Sequence, residues 1–355
     1  MKKTQFISML GAKDEVESSF LVKYIAVATG KDGKSYLNLI LTDNSGEIES
    51  RKWQEAEMVA GKIKAGDFVV VSGKVNAFQG RLQLIVDKVT KLNEGQYEPE
   101  DFIKKSNSAP EKMFDELVAI VNGLEEIYIK DLLLLILNEY EIKRRLMLWQ
   151  AGKSIHHAYQ SGLLEHILSC TKLAQFLSSH YQVNRSYVVA GCILHDLCKI
   201  YELTEGPNVD YTEEGKLIGH LVKGLEIVDH FASKIKNFPY QQKMHLKHIL
   251  LSHHGEYEYG SPKIPHTSEA YLVHLIDLMD SKMSSMDQVK KTDNSTGHWS
   301  GMIKHLDRVV YKNELPTFTS YLEDGEKVEN NKPAKSEPKD LKQTLGSKLK
   351  DFKVD

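Results

Sequence analysis

Short segments with alternating hydrophobic residues occupy the first part of the chain. Between Tyr36 and Leu41, the residues Leu37, Leu39 and Leu41 recur at every second position, which is typical of a strand with one buried face. Four further segments rich in β-branched and aromatic residues predict strands at residues 20–29, 47–53, 68–75 and 81–89. Five short strands in close succession indicate a small closed barrel rather than a parallel sheet.

The hydrophobic pattern changes after the barrel. Residues 93–110 are rich in Gly, Glu, Pro, Lys, Ser and Asn, which predicts a linker. From residue 111 to about residue 322 the apolar positions have helical spacing, with scarcely any strand signal. We therefore predict a multidomain α and β protein, with a five-stranded OB-like β-barrel over residues 1–92 and an all-α domain over residues 111–322.

The end of the chain, residues 323–355, has the composition of a flexible basic tail. From Lys327 onward it contains eight lysines and five acidic residues. Leu341, Leu345 and Leu349 recur every four residues, so a short helix on a partner is the alternative interpretation.

Composition narrows the class of protein. Hydrophobic residues make up 41% and charged residues 27% of the 355 residues, as in ordinary soluble proteins. No apolar run approaches the roughly 18 residues that a membrane span needs, so we expect a cytoplasmic protein without a membrane partner. The three cysteines form no CxxC pair, which argues against disulfides and a cysteine zinc site. Because the formal net charge is −3, nucleic-acid binding must come from local patches.

The barrel offers candidate contacts for a single nucleic-acid strand. OB-like barrels bind such strands by stacking bases on aromatic rings beside a basic groove. For each aromatic residue, packing within the sheet is the alternative interpretation. The candidate residues are Tyr36, Asn38, Arg51, Lys52, Trp53, Lys74, Phe78 and Arg81.

The helical region contains adjacent residues, His195 and Asp196, that predict a metal site. They lie inside the apolar segment 187–200, where two ionisable side chains are costly to bury without partners. On a helix, the imidazole could bind one divalent ion while the two carboxylate oxygens bridge to another. Lys199 would lie on the same side of that helix and could contact a phosphate oxygen.

Other ionisable residues in apolar helical contexts are further candidate ligands. Nitrogen and oxygen ligands suit manganese, iron, cobalt or zinc. Asp280 competes with Asp277 for a ligand role, and His274 is a possible partner of Asp277. A lone histidine on an apolar face is also a common hydrogen-bonded core residue. The candidate ligands outside the His195–Asp196 pair are His166, His220, His253, His254 and Asp277.

These residues carry a family resemblance. The series His166, His195-Asp196 and Asp277 resembles the HD metal-hydrolase superfamily, and HDLCK from His195 matches the HDxxK pattern of its two-metal branch. The segment HHAYQSGLLEHILS at 156–169, together with an OB-like barrel, resembles the YhaM-type 3′→5′ exoribonucleases of Gram-positive bacteria.

The resemblance implies an activity and roles for these residues. It implies manganese-dependent removal of nucleotides from the 3′ end of single-stranded RNA, with single-stranded DNA as a second substrate, by a homo-oligomer. Two ions sharing Asp196 would activate a water for attack on phosphorus. Lys199 would steady the phosphate, and His157 would contact substrate or protonate the leaving group. The first ion would be held by His166, His195, Asp196 and Asp277, and the second by His220, His253 and His254.

Two alternatives remain open from the sequence. The stretch HHGEYEYGSP at 253–262 is similar to the HD-GYP phosphodiesterases that cleave cyclic dinucleotides, although the GYP tripeptide is missing. The other alternative is a nucleic-acid-binding adaptor whose HD domain has lost activity, which would be expected to lack metal ligands.

Overall fold

The computed structural model gives a five-stranded barrel followed by a helical region, which confirms the predicted fold class. His156 and the predicted basic tail lie outside the residues that the structure describes. In that described part of the chain, no helix is long and apolar enough to cross a membrane. The described residues are 3–30, 33–78, 81–106, 108–152, 157–206, 209–293 and 297–316.

The barrel closes through the strand order β1-β2-β3-β5-β4. Its β3–β5 pair is parallel, and the other neighbouring strands are antiparallel. A short helix, α1 (Ala56–Ala60), connects β3 to β4. The strands are β1 (Glu15–Thr29), β2 (Ser35–Asp43), β3 (Gly46–Lys52), β4 (Phe68–Phe78) and β5 (Arg81–Lys91).

The interior of the barrel is filled by the alternating residues that the sequence predicts. Leu37, Leu39 and Leu41 are all fully buried, so the face predicted from their spacing is the core face. The strands β4 and β5 come close at Gly73, where an added Cβ would lie only 2.1 Å from the backbone oxygen of Ile85. Glycine permits this approach beside a register shift in β4.

Part of the segment predicted as a linker packs on the barrel. The ring centroids of Tyr97 and Phe68 are 3.9 Å apart, and Phe102 is 4% exposed. Further along, the segment contacts the loop between the fourth and fifth helices, because Gln160 N donates to Lys104 O at 2.9 Å and Ser106 N to Gln160 O at 3.0 Å. Apolar side chains and backbone hydrogen bonds therefore fix a stretch whose composition indicates a flexible connection.

The helices surround one large apolar core. At its centre, α6 buries eight of its ten residues, since the helix is apolar on nearly all sides. A Cβ at Gly191 would lie 2.7 Å from Ile249 and Val273, so glycine allows α10 and α11 to pack closely on α6. The helices are α2 (Pro110–Asn122), α3 (Ile127–Leu137), α4 (Tyr140–Leu146), α5 (Gly162–Tyr181), α6 (Arg185–Leu194), α7 (Lys199–Glu202), α8 (Glu213–Leu217), α9 (Gly219–Ala232), α10 (Tyr240–Ser252) and α11 (Ser268–Thr292).

The helical pattern ends earlier than the sequence predicts. The last described helix stops at Thr292, whereas helical spacing is predicted to about residue 322. Residues 297–312 instead form isolated antiparallel bridges, between Trp299 and Tyr311 and between Ile303 and Arg308. Such pairing requires extended backbone rather than a helix, and Gly297 has a φ of 93° that a helix does not allow.

Candidate metal centre

The His195–Asp196 pair lies at the end of α6 rather than within one long helix. His195 is the C-cap of α6, and α7 begins only at Lys199. The residues between the two helices form a tighter turn of the 3₁₀ type, because Lys199 N donates to Asp196 O, three residues earlier, at 2.9 Å. Both side chains are almost fully buried, at 2% and 3% exposure. The buried helix α6 therefore delivers these two groups into the protein interior.

Four ligand atoms from three parts of the chain meet beside His195. The Nε2 atoms of His166 and His195 lie 3.1 Å apart. Asp277 Oδ1 lies 3.4 Å from the first nitrogen and 3.7 Å from the second. Asp196 Oδ2 lies 3.6 Å from each of them. Ligands held about 2.1 Å from one ion are themselves roughly 3.0–3.5 Å apart, so the spacing fits a single divalent cation.

A second group of imidazoles faces the other oxygen of Asp196. The Nε2 atoms of His220 and His253 lie 3.6 Å and 3.9 Å from Asp196 Oδ1. Among the residues described, both of these buried nitrogens lack a hydrogen-bond partner. His254 joins them, with one ring nitrogen of each histidine within 4.8 Å of the others. Because an unpaired buried polar atom is costly, this group has the arrangement that a second cation would satisfy.

Carboxylates orient the imidazoles of His166 and His220. Asp280 Oδ2 lies 2.8 Å from His166 Nδ1, and Glu202 Oε1 lies 3.0 Å from His220 Nδ1. An oxygen acceptor at Nδ1 holds the ring proton there, which leaves the Nε2 lone pair for a metal. Both histidines are therefore prepared as ligands.

Backbone carbonyl oxygens orient the other three histidines in the same way. In each case an oxygen acceptor faces Nδ1 and leaves Nε2 available as a metal ligand. The pairs are His195 with Cys192 O at 2.9 Å, His253 with Leu250 O at 2.8 Å, and His254 with Tyr259 O at 3.1 Å.

At Asp196 and His253 the electrostatics favour the protonation states that metal ligands need, whereas at His166 burial lowers the pKa but Cys170, Asp277 and Asp280 outweigh it and raise that pKa. Lys199 Nζ lies 2.7 Å from Asp196 Oδ2. Burial by itself raises the pKa of Asp196, but the charge of Lys199 holds that pKa well below its usual value. Burial lowers the pKa of His253 well below its usual value, and the neighbouring histidines add to this shift. The carboxylate is thus ionised and the imidazole neutral.

Two residues that support the ligands are not identified from the sequence. The sequence suggests Asp280 only as a competitor of Asp277 and gives no signal for Glu202. Asp280 also accepts a hydrogen bond from Ser169. Asp280 and its partner His166 are 114 residues apart in the sequence, and Glu202 and its partner His220 are 18 residues apart. Only the tertiary fold brings these partners together.

His157 and His274 make contacts that differ from those expected. His157 is buried, with Nδ1 2.9 Å from the Tyr159 hydroxyl and Nε2 3.1 Å from Asp280 Oδ2. His274, expected beside Asp277, has its Nδ1 2.8 Å from the backbone oxygen of His253. Both histidines thus support residues of the centre.

Most of the barrel candidates form one surface of aromatic and basic side chains. The ring centroids of Tyr36 and Trp53 are 4.9 Å apart. The Arg51 guanidinium carbon lies 5.2 Å from the Tyr36 ring and 6.0 Å from that of Phe78. Trp53 and Phe78 remain about half exposed, at 46% and 53%. Arg81 of β5 is in register with Phe78 of β4.

The remaining barrel candidates occupy different positions. Asn38 is paired with Arg51 across β2 and β3, next to this surface. Lys74 is exposed on β4 and is in register with Glu15 of β1. Lys52 does not belong to the surface, because its side chain is buried and its Nζ donates to the backbone oxygen of Asp87 at 2.7 Å. The alternation of β3 explains the difference, since Lys52 shares the inward face with Ile48 and Ser50.

Family comparisons agree with this division of the chain. Residues 21–92 match the family described as OB-fold nucleic acid binding domain, and residues 163–282 match the HD domain family. The fold and the centre thus define a metal-dependent hydrolase of the HD class that carries an OB-fold nucleic acid binding domain.

Curated relatives specify the family. The 3′-5′ exoribonuclease YhaM of Listeria monocytogenes is 32% identical over 86% of this chain and 96% of that protein. The proteins of the same name from Listeria welshimeri and Oceanobacillus iheyensis are each 33% identical, over 86% and 77% of this chain and 96% and 86% of their own. The chain belongs to the YhaM family, as the resemblance predicts.

Solved structures of OB-fold proteins are also similar to part of the chain. The second OB-fold domain of replication protein A from Methanococcus maripaludis shares 27% identity, with a TM-score of 0.21, over 26% of this chain and 96% of that one. The single-stranded DNA binding protein from Thermus aquaticus shares 16% identity, with a TM-score of 0.22, over 24% of this chain and 42% of that one.

Proposed function

We propose that the protein is a 3′→5′ exoribonuclease that hydrolyses phosphodiester bonds of single-stranded RNA, and of single-stranded DNA as a second substrate. The barrel would bind the strand, and the helical domain would cut its 3′-terminal nucleotide. We expect this reaction to take place in the cytoplasm, which an RNA substrate would fit. The direction of cleavage and the substrate come from the names of the curated relatives.

One observation carries the hydrolytic part of the proposal. The two oxygens of Asp196 face two separate groups of ring nitrogens, at 3.6 Å on one side and at 3.6 Å and 3.9 Å on the other. A carboxylate shared in this way supports a pair of cations close enough to act on one phosphate. An adaptor that had lost activity would have no need to keep these groups together.

The donor set supports the choice of metal. Imidazole nitrogens combined with carboxylate oxygens favour manganese, iron, cobalt or zinc over magnesium, and among these we propose manganese. When bound, two such cations supply Lewis acidity at the phosphate and lower the pKa of a water molecule that serves as nucleophile.

Lys199 would bind and orient the scissile phosphate. Burial lowers the pKa of Lys199, but the charge of Asp196 and a hydrogen bond to it more than compensate, so the pKa is raised and the ammonium stays protonated. A fixed positive charge beside Asp196 would neutralise part of the charge that develops on the phosphate oxygens. Both ring nitrogens of His157 have contacts, which supports a role in holding Asp280; substrate contact by His157 stays a prediction.

A labelled-oligonucleotide assay tests the proposal. With manganese, a 5′-labelled oligoribonucleotide should shorten one nucleotide at a time, and a 3′-labelled one should release labelled mononucleotide first. His195→Ala and Asp196→Ala should abolish turnover, because each removes a ligand atom from the centre. Their affinity for the uncut strand, measured by fluorescence anisotropy, should stay within about twofold of the wild type because the barrel supplies that binding.

A matched control and three contrary outcomes sharpen this experiment. His180→Ala removes an exposed histidine from α5, the helix that carries His166, and should leave turnover unchanged. Cleavage of a cyclic dinucleotide with RNA left intact would favour the HD-GYP alternative. Strand binding without any cleavage at saturating manganese would favour the adaptor. Retained turnover in Asp196→Ala would refute the shared carboxylate.

A further inference from the structure

The chain forms a small hairpin after the last helix, outside the matched HD domain region. We call residues 297–312 the terminal hairpin. Trp299 is bridged to Tyr311, and Ile303 is bridged to Arg308, both in antiparallel pairs. An isolated two-stranded hairpin is at best marginally stable in water, so this one depends on what it packs against.

The inner face of the terminal hairpin docks on α11. Leu306 and Val310 are buried with Val289 of that helix, and Met286 and Ile303 pack against the cluster. These apolar contacts account for the docking. The residues of this cluster define the inner face of the hairpin, and Trp299 lies on the opposite, outer face.

The outer face presents the ring of Trp299 to solvent, with the half-buried Tyr311 beside it. Trp299 is 56% exposed, and its ring centroid lies 5.2 Å from that of Tyr311 in an edge contact. His298 lies 6.4 Å from the same tyrosine. Because the rings add little to the core, such exposure is informative. Exposed aromatic faces are the groups on which single-stranded nucleic acids stack their bases.

The charge of the terminal hairpin suits a polyanion. It contains three basic residues, Lys304, Arg308 and Lys312, and one acidic residue, Asp307. Lys312 Nζ pairs with Asp293 Oδ1 at 3.0 Å, so Lys304 and Arg308 carry the positive charge of the surface. Lys282 of α11 adds a further ammonium, which donates to the backbone oxygen of His305 at 3.0 Å. The terminal hairpin is therefore locally basic, although the formal net charge of the whole chain is −3. A basic surface with interleaved aromatic rings is typical of a nucleic-acid binding site.

The terminal hairpin is continuous with the aromatic surface of the barrel. A Cβ at Gly301 would lie 2.6 Å from Nη2 of Arg81, so the guanidinium packs directly over this glycine. Arg81 is paired with Phe78, whose ring lies 6.0 Å from the Arg51 guanidinium carbon. On its other side the hairpin packs on α11, which carries Asp277. The hairpin therefore contacts both the strand-binding surface and a helix of the metal centre.

We propose that Trp299 and Tyr311, together with Arg81, form a second binding element for single-stranded RNA. This element extends the barrel surface toward the helical domain and stacks bases of the strand between the two. The inference rests on the proposed function and adds to it a binding element whose two aromatic rings lie outside both the barrel and the metal centre.

Removing one ring tests the proposal. We expect Trp299→Ala to weaken binding of a single-stranded oligoribonucleotide of about 20 nucleotides roughly tenfold, because stacking contributes about 1–3 kcal/mol per base. The KM for that strand should rise by a similar factor with kcat unchanged. Hydrolysis of bis(p-nitrophenyl) phosphate, which is too small to reach the hairpin, should not change. Trp299→Phe keeps a ring and should restore most of the affinity.

The control is Tyr140→Ala, which removes another exposed aromatic ring, 74% exposed on α4, and should alter neither Kd nor KM. The inference is wrong if Trp299→Ala keeps wild-type Kd and KM, or if hydrolysis of the small ester falls as much as that of RNA. If the wild type neither binds nor cuts RNA, the proposed function fails as well. If the wild type shortens RNA from its 3′ end and Trp299→Ala does so with equal KM, only the second binding element is refuted.

Discussion

Asp280→Asn is the most direct test of how the metal ligands are oriented. The substitution keeps the size of the side chain but removes the negative charge that faces Nδ1 of His166 at 2.8 Å. The new amide also faces Nε2 of His157 and the Ser169 hydroxyl, which now contact carboxylate oxygens. At least one of these contacts must weaken, because an amide presents one acceptor atom where the carboxylate presents two.

The size of the effect follows from the hydrogen bond that is lost. Burial opposes ionisation of Asp280, but the hydrogen bonds from His157 and His166 outweigh it and lower the pKa, so the bond to His166 is charge-assisted. Hydrogen bonds to charged groups contribute about 1.5–3 kcal/mol, and partners of metal-bound histidines change metal affinity about 10- to 100-fold. We expect the manganese concentration for half-maximal activity to rise by that factor, with activity recovered at high manganese.

The assay is hydrolysis of an oligoribonucleotide over a range of manganese concentrations, paired with calorimetric titration of the metal. Asp287→Asn is the matched control, since Asp287 lies on the same helix, is exposed and forms an ion pair with Lys291. Equal manganese dependence in wild type and Asp280→Asn would refute the role of Asp280. A loss of activity that no manganese concentration restores would point to a direct role in the reaction instead.

Two further predictions concern stability. Gly73→Ala places a Cβ 2.1 Å from the Ile85 carbonyl oxygen and should lower the free energy of unfolding in urea by about 1–3 kcal/mol. Gly61→Ala, whose nearest neighbour is 3.7 Å away, should be nearly neutral, and an equal loss in both variants would contradict the close approach of β4 and β5. Manganese at about 100 times its Kd should stabilise the folded protein by about 2.7 kcal/mol per site and raise Tm by roughly 5–10 °C. Asp196→Ala should lose most of that rise in a thermal melt, and an unchanged rise would place the metal elsewhere.

The sequence predicts well those features that depend on local periodicity. The alternation of Leu37, Leu39 and Leu41 identifies the core face of a strand without any tertiary information. The pair His195-Asp196 stands out because charged neighbours are rare in a segment as apolar as 187–200. In both cases the signal lies within about ten residues of chain.

Features that depend on distant contacts are not predicted from the sequence. The residues that orient the ligands, Asp280 and Glu202, resemble ordinary helix acids until the fold brings an imidazole to each. Lys52 is assigned to the surface because of its charge, whereas the alternation of β3 buries it and Asp87 supplies its acceptor. The terminal hairpin is overlooked because its few apolar residues pack on α11 and show no long-range periodicity of their own.

The segment 93–110, which connects the barrel to the helical domain, is held at both ends, and this constrains how an RNA strand can move along the protein. Tyr97 and Phe102 hold one end of the connection to the barrel, and backbone hydrogen bonds at Gln160 hold the other. If the proposed function is correct, the barrel surface and the metal centre stay at a constant separation while the RNA shortens. The whole strand must therefore slide along the barrel surface after every cleavage. A barrel surface that preferred one base would slow the strand wherever that base occurs. Aromatic rings that stack with any base bind all positions of the strand with similar affinity and let it advance uniformly.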